Sequence, residues 1–226
     1  MKTAVLIPAA GMGRRMENPI PKQLIELQSK PILIHTLEKF EACESVHAVF
    51  PVVPKDRRDE IRELLDQWGI QKVQQIVSGG KERTDSVYNG LQAIDPCTDI
   101  VLIHDAVRPF VSICKIKQVI RAASEHGAAL LALPATATVK RVQDHIIRHT
   151  LDRTQIWLAQ TPQGFRYDLI RQAYEKAIQT GIKATDDTAL VEQLGHPVYV
   201  VPGEESNIKI TTPTDLAIAE MFCQMR

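Results

Sequence analysis

Short runs rich in Val, Ile and Leu alternate along this chain with longer stretches whose apolar residues recur at helical spacing, and this alternation constrains the fold more than any other feature. A strand that is apolar at successive positions must be buried on both faces, which a sheet achieves when helices cover it on either side. The expected fold class is therefore α/β, with a mostly parallel sheet and flanking helices. Strands are predicted at 3–8, 48–53, 73–77, 99–104, 128–133, 198–201 and 208–211. Helices are predicted at 32–43, 56–68, 84–94, 112–126, 168–179 and 186–194, with Gly69 placed to cap the second. A last helix starts at Thr212-Pro213-Thr214-Asp215, where Thr212 caps, Pro213 takes the first helical position and Asp215 lies in the first turn. The stretch 139–158 breaks the pattern: apolar and polar residues alternate weakly and no helical face forms. It reads as an extended hairpin or arm leaving the core of a chain that is otherwise one domain over 1–226.

With 226 residues, 44% of them hydrophobic, one sizeable core can form without disulfides or a structural metal. The 27 Lys plus Arg balance 27 Asp plus Glu, so the net charge of +0 provides no field for holding long polyanions, and nucleic acid is not an expected partner. Cys43, Cys97, Cys114 and Cys223 lie far apart with no C-x-x-C pair, arguing against a zinc ribbon or a secreted disulfide scaffold. The apolar run 4–7 before Pro8 is too short for a signal segment, and no later run reaches membrane length. The expectation is a cytoplasmic protein with no membrane partner.

Chemistry concentrates at the ends of predicted strands. The first runs into Pro8-Ala9-Ala10-Gly11-Met12-Gly13-Arg14-Arg15-Met16, followed by Pro21-Lys22-Gln23. Small residues let a backbone approach a nucleotide, its N–H groups can face phosphate oxygens, and Arg15 and Lys22 add positive charge. The P-loop pattern fails here, and the dinucleotide fingerprint fails at its third glycine, which is Met16. A second small-residue turn, Ser78-Gly79-Gly80-Lys81-Glu82-Arg83-Thr84-Asp85-Ser86, also joins a strand to a helix, with Ser86 able to offer a hydroxyl to a base or ribose; by itself Thr84-Asp85-Ser86 reads first as a helix cap. A third strand ends in His104-Asp105-Ala106-Val107-Arg108-Pro109. In a parallel sheet these three ends share one edge. Asp105 is a hard oxygen ligand suited to Mg²⁺ beside phosphates, or alternatively a partner for Arg108, while His104 reads as a packed residue.

These segments, with His149-Thr150-x-Asp152-Arg153, Thr161-Pro162-Gln163, Thr185-Asp186 and Asn207-Ile208-Lys209-x-Thr211, resemble in order and spacing the 2-C-methyl-D-erythritol 4-phosphate cytidylyltransferases across nearly the whole chain. The resemblance implies a Rossmann-like nucleotidyltransferase fold with a protruding β-arm, a homodimer formed through the arm at about 139–158, and a Mg²⁺-dependent transfer of CMP from CTP to 2-C-methyl-D-erythritol 4-phosphate, giving 4-diphosphocytidyl-2-C-methyl-D-erythritol and pyrophosphate in the non-mevalonate isoprenoid pathway. It further implies that Arg15, Lys22, Lys209 and Asp105 are catalytic, with Asp105 also supporting the metal. Ala9, Ala10, Gly11, Gly13, Gly80, Ser86, Asp105 and Ala106 would surround the nucleotide. Thr138, Arg153, Thr185 and Arg108 would hold the second substrate, with Arg153 able to grip its phosphate bidentately.

Three departures from the family's usual pattern stand out: Ser206 replaces an acidic residue before Asn207, Lys81 replaces one after the paired glycines, and Asp187 follows Thr185-Asp186 where glutamate is more usual. Other readings of the same residues are a cytidylyltransferase for another polyol phosphate such as ribitol 5-phosphate, a noncatalytic nucleotide-binding subunit, and a dinucleotide-dependent oxidoreductase. His145 and His149, four apart, do not sit in an H-E-x-x-H pattern, and no G-x-S-x-G elbow for a serine hydrolase occurs.

Overall fold

A computed structural model describes residues 1–11, 20–182 and 186–224. The elements run β1 (Thr3–Pro8), β2 (Glu26–Leu27), β3 (Lys30–Pro31), α1 (Ile32–Glu41), β4 (Ala48–Val53), α2 (Arg58–Gln67), β5 (Val77–Ser78), α3 (Arg83–Ala93), β6 (Ile100–Ile103), α4 (Ile113–His126), β7 (Ala128–Pro134), β8 (Lys140–Gln143), β9 (Ile146–Thr150), β10 (Trp157–Arg166), α5 (Tyr167–Thr180), α6 (Asp187–Glu192), β11 (Tyr199–Pro202) and α7 (Pro213–Gln224). Seven strands form one sheet in the order β11-β7-β10-β6-β1-β4-β5. Within it, only β10 runs antiparallel to its neighbours.

The two-faced burial inferred from the apolar runs is visible residue by residue. Val5 and Ile7 of β1, Val49 and Val53 of β4 and Ile100 and Leu102 of β6 point into a core closed by Leu33, Leu37 and Phe40 of α1, Ile61 and Leu65 of α2, and Ile116, Val119 and Ile120 of α4. Their alternates, Ala4, Leu6, Phe50, Val52, Val101 and Ile103, meet Val87 and Leu91 of α3, Ile170 and Tyr174 of α5, and Leu190 and Val191 of α6. Period-two alternation thus supplies both cores from the same strands. A smaller cluster of Ile25, Leu27, Ile32, Val107, Phe110, Ile210 and Ala219 seats α7 beside the loop that follows β6. The caps read from the sequence are present. Gly69 takes φ +65 after α2, and Asp215 accepts from the N–H groups of Thr211 and Thr212 at 2.8 Å while its own N–H donates to Thr212 Oγ1 at 3.2 Å.

Three expectations need correction. The strand expected at 208–211 does not form: its backbone is tied piecemeal, Ile210 N–H to Val107 O at 2.9 Å and the Arg108 guanidinium to Asn207 O at 2.7 Å. The strand expected at 73–77 contracts to Val77–Ser78 plus a single bridge between Val49 and Val73. Conversely β10 was not anticipated, because Pro162 lies in it and a proline lacks the donor a central strand requires. The sheet accommodates Pro162 at an irregularity: Gln160 pairs with Leu131 and Gln163 with Leu130, so Thr161 and Pro162 fall outside the ladder, across a cis peptide bond. The extended hairpin is therefore shorter than 139–158. It comprises β8 and β9, joined by a two-residue turn in which Asp144 and His145 both have positive φ, 53 and 62, while Trp157 and Leu158 begin β10.

Candidate active site

The carboxyl ends of β1, β4, β5 and β6 meet at a crevice of about 220 Å³ lined by Pro8 to Gly11, Lys22, Gln23, Gly80, Glu82, Arg83, Ser86, Asp105 to Val107, and Lys209. Its floor is set by backbone. Ala9 N–H donates to Val52 O at 2.7 Å and Gly79 N–H to Val53 O at 2.8 Å, while the buried Gln23 amide donates to Ala9 O at 2.5 Å. The first two turns touch so closely that a Cβ on Gly79 would lie 2.6 Å from Ala10 Cβ. Larger side chains here would fill the space that a ligand's backbone contacts require.

In the second turn, Gly80 N–H donates to Ser86 Oγ at 3.0 Å, the Ser86 hydroxyl donates to Glu82 O at 2.9 Å, and Glu82 N–H donates to the Asp85 carboxylate at 3.0 Å. The helix cap read from this segment is present as a box between Glu82 and Asp85, and Ser86 lines the crevice beside it. Ser86 is buried and its hydroxyl proton is committed, so it shapes the turn that lines the crevice.

Asp105 sits where the crevice adjoins a second cavity, of about 280 Å³, lined by Arg83, Asp105, Arg108, Ala159, Gln160, Thr161, Gln163, Asp186 and Lys209. Its Oδ2 accepts from Lys209 Nζ at 3.0 Å and from Arg108 Nε at 3.1 Å. Burial alone would raise the carboxyl's pKa, but the Lys209 ammonium and then the Arg108 guanidinium overcome it and hold the group well below the usual carboxylate range. The pairing with Arg108 read from the sequence is present, and together with Lys209 it fixes where the carboxylate points.

Behind it, His104 is fully buried and edge-on to Phe40. Its Nε2 faces the Arg108 carbonyl at 3.1 Å, an acceptor only, so Nε2 carries the proton and Nδ1 accepts from the Thr161 hydroxyl at 3.1 Å. Thr161 Oγ1 in turn accepts from Asp105 N–H at 3.0 Å. Burial lowers the His104 pKa to about 4, keeping this relay neutral and fixed. The next residue along, Ala106, is tethered through its carbonyl to the Thr36 hydroxyl of α1 at 2.9 Å. Lys209 is aimed by its own segment: fully buried Asn207 donates to Gln160 Oε1 at 3.2 Å and to Thr161 O at 2.9 Å.

Of the residues expected from the sequence, Ala9, Ala10, Gly11, Lys22, Gly80, Ser86, Asp105, Ala106 and Lys209 line the crevice, and Arg108 lines the adjoining cavity. Thr138 and Arg153 line neither; they stand exposed at the root of the hairpin, with Arg153 Nη1 donating to Thr136 O at 2.6 Å. Gly13, Arg15 and Thr185 lie outside the described residues. Gln23, Glu82 and Arg83 stood in the recognised motifs without a role. Gln160 and Gln163 went unassigned because β10 was not anticipated, although Thr161-Pro162-Gln163 marked the place. Glu204, two residues before Ser206, accepts from the Ser112 hydroxyl at 2.8 Å and the Ser112 N–H at 3.3 Å, at the start of α4.

An open α/β sheet binds ligands outside the carboxyl ends of its strands. Small-residue turns facing two lysines there make this a nucleotide-handling α/β enzyme fold. The family model described as IspD, 2-C-methyl-D-erythritol 4-phosphate cytidylyltransferase, matches residues 3–225. The enzyme of that name from Geotalea uraniireducens is 48% identical over 225 residues, covering 98% of this chain and 97% of the relative. The crystal structure of 4-diphosphocytidyl-2C-methyl-D-erythritol synthase from Anaerococcus prevotii superposes with a TM-score of 0.88 at 34% identity, covering 99% of this chain and 96% of that one. The 2-C-methyl-D-erythritol 4-phosphate cytidylyltransferase of Thermus thermophilus superposes with a TM-score of 0.83, also at 34% identity, covering 99% of this chain and 100% of that one. The chain belongs to the 2-C-methyl-D-erythritol 4-phosphate cytidylyltransferase family.

Proposed function

We propose that this nucleotidyltransferase moves the CMP group of CTP onto the phosphate of 2-C-methyl-D-erythritol 4-phosphate, giving 4-diphosphocytidyl-2-C-methyl-D-erythritol and pyrophosphate in isoprenoid precursor synthesis. The observation that carries the reading is the seam between the two cavities. Asp105, Lys209 and Arg83 line both, as a reaction joining two phosphates requires.

CTP occupies the crevice, with its cytidine against Ala9, Ala10, Gly11, Gly80, Ser86 and Ala106 and its triphosphate toward Lys22; the acceptor's polyol occupies the adjoining cavity beside Arg108. An acceptor phosphate oxygen attacks the α-phosphorus in line, the bond to the bridging oxygen of the leaving pyrophosphate breaks, and no covalent enzyme intermediate forms. Lys22 and Lys209 approach the reacting phosphates from opposite sides and stabilise the charge gathered on the phosphoryl oxygens. Arg15, Gly13 and Thr185 join these roles by similarity, Arg15 with the triphosphate, Gly13 with the nucleotide and Thr185 with the acceptor phosphate.

The donor chemistry around Asp105 fits Mg²⁺: one hard carboxylate oxygen beside the substrate phosphates, a pairing that leaves the remaining coordination to phosphate and water. Among the described residues no cluster of three or more His, Cys, Asp or Glu could hold an ion unaided, so Asp105 and the phosphates would hold it together. When bound, the ion supplies charge neutralisation to the triphosphate. The protein's part is the fixed aim of Asp105, set by Arg108, Lys209 and Thr161.

The acceptor phosphate is gripped by Thr138 and Arg153 of a second copy of the chain, in a homodimer built through the hairpin. Their absence from both cavity walls supports this reading, as does the apolar surface of the hairpin and the strand that follows it, where Val142, Ile146, Ile147, Trp157 and Leu158 are 43–59% exposed. Among the described residues no helix is long and apolar enough to cross a membrane; with water-soluble substrates, the cytoplasm is the proposed location. Pyrophosphate release with Mg²⁺ and CTP tests the function, comparing methylerythritol phosphate with ribitol 5-phosphate and including ATP as a control. Release confined to CTP with methylerythritol phosphate is expected; a preference for ribitol phosphate would change the acceptor, and silence from folded, CTP-binding protein would overturn the enzyme reading.

A further inference from the structure

We propose that Arg83, although it belongs to the nucleotide turn, is a positioning residue for the acceptor substrate and acts through Asp187. The inference rests on the reading of the two cavities given above.

Arg83 is the first residue of α3, directly after the turn that lines the crevice, and it borders both cavities, with its guanidinium committed to α6. Both terminal nitrogens donate to one carboxylate, Nη1 to Asp187 Oδ1 at 2.7 Å and Nη2 to Asp187 Oδ2 at 2.6 Å, across 104 residues of sequence. This is the bidentate fork-to-fork pairing, which fixes orientation as well as distance. Asp187 is fully buried and also accepts from the Tyr174 hydroxyl of α5. A buried carboxylate carries a large desolvation cost, so it persists only with such partners, and losing one leaves a charge that the surroundings must move to satisfy.

What moves with Asp187 is the wall of the second cavity. Asp187 opens α6, and the residue before it, Asp186, lines that cavity and caps the helix by accepting from Ala189 N–H at 3.0 Å. The buried Gln163 holds the same turn from β10: its Oε1 accepts from the N–H groups of Asp187 and Thr188, each at 3.1 Å, and its Nε2 donates to Asp186 Oδ2 at 3.0 Å. α6 is only six residues long and cannot fix its own start, so its entry is set by Gln163 from one side and Arg83 from the other. The nucleotide turn, by contrast, does not depend on Arg83. Gly80, Glu82, Asp85 and Ser86 satisfy one another through the three bonds already described. Removing the Arg83–Asp187 fork should therefore loosen the acceptor side and leave the nucleotide side standing.

The test uses the full-length enzyme and the variants Arg83→Lys, Arg83→Gln, Asp187→Asn and the double variant Arg83→Gln with Asp187→Asn. CTP affinity is measured by calorimetry without acceptor, and kcat and both KM values by pyrophosphate release; near-ultraviolet circular dichroism and thermal melts establish that each variant is folded. The expected result is an acceptor KM raised by roughly ten- to a hundredfold, with CTP affinity within about threefold of the unaltered enzyme. Arg83→Lys, which keeps the charge and loses the fork, should sit between the unaltered enzyme and Arg83→Gln, and the double variant should be no worse than the poorer single one, because the two residues act as a unit. If Asp187→Asn does not fold, the two Arg83 variants carry the same KM split alone. Loss of CTP affinity in the Arg83 variants with an unchanged acceptor KM would overturn the inference and make Arg83 a direct nucleotide contact; equal losses on both sides would make the pair merely structural. Failure of the unaltered enzyme to bind CTP would instead strike the functional reading on which the inference rests.

Discussion

The strand-end crevice and the β8–β9 hairpin follow opposite rules. The described side chains at the crevice are held mainly from within the chain: Ser86 by Gly80 and Glu82, Asp105 by Lys209, Arg108 and Thr161, and the Asn207 amide nitrogen by Gln160 and Thr161, although Asn207 Oδ1 is buried without a partner among the described residues. The hairpin has no such support, since every residue of β8 and β9 is exposed and a two-stranded hairpin is marginal alone in water. The crevice proposed for the nucleotide stands on a buried sheet, whereas Thr138 and Arg153 stand at the root of a hairpin whose strands are exposed throughout.

The largest expected effect sharpens the crevice side. Lys22→Ala or Lys209→Ala should lower kcat by about 10²–10³ in a protein that melts normally, because each removes a preorganised charge aimed at the reacting phosphates. Steady-state pyrophosphate release gives the number, and a loss under tenfold would mean the crevice is not where charge develops. Next is Gly79→Ala. Its methyl group must push Ala10 aside, so kcat/KM for CTP should fall by roughly tenfold or more while the acceptor KM holds.

On the hairpin side, Ile146→Lys combined with Ile147→Lys places charge on two residues that are 58% and 59% exposed. Sedimentation should show a smaller particle and the acceptor KM should rise, with CTP binding unchanged; an unaltered mass and KM would free the hairpin of any role in assembly. The smallest effect lies away from both regions. Asp215→Ala removes the first-turn carboxylate that holds the Thr211 and Thr212 N–H groups at the start of α7 and should cost about 1 kcal/mol in urea unfolding. Burial pushes the Asp215 carboxyl up, but the N–H groups and hydroxyls of Thr211 and Thr212 hold it below its ordinary value of 3.8. The contribution is therefore present at neutral pH and is lost as pH falls below that value.

What the sequence made legible divides along the same line. Strands buried on both faces left continuous apolar runs, so β1 and β4 could be bounded to the residue, and the small-residue turns after β1 and β5 marked the crevice. β10 was hidden because Pro162 contradicts the rule for central strands, and the sheet solves this with an irregularity that no local pattern announces. Gln160, Gln163 and Asp186 were hidden with it, since their roles depend on which segments β10 and α6 bring together. The Arg83–Asp187 fork joins residues 104 apart, and nothing in either local sequence names the partner. Residues 208–211 misled in the other direction: an Ile-Lys-Ile-Thr alternation reads as a strand, but side chains and single backbone bonds hold it as an irregular arm carrying Lys209.

Whether two copies complete one site is tested most directly by mixing subunits. Arg153→Ala and Lys22→Ala chains, each inactive alone, are unfolded together, refolded at equal amounts and assayed after mixed dimers are verified by mass. If the crevice of one copy uses the hairpin of the other, each mixed dimer has one site free of both lesions, and the random mixture should recover about a quarter of the unaltered activity. No recovery in verified mixed dimers would contradict the account, and would return Arg153 to the crevice of its own chain.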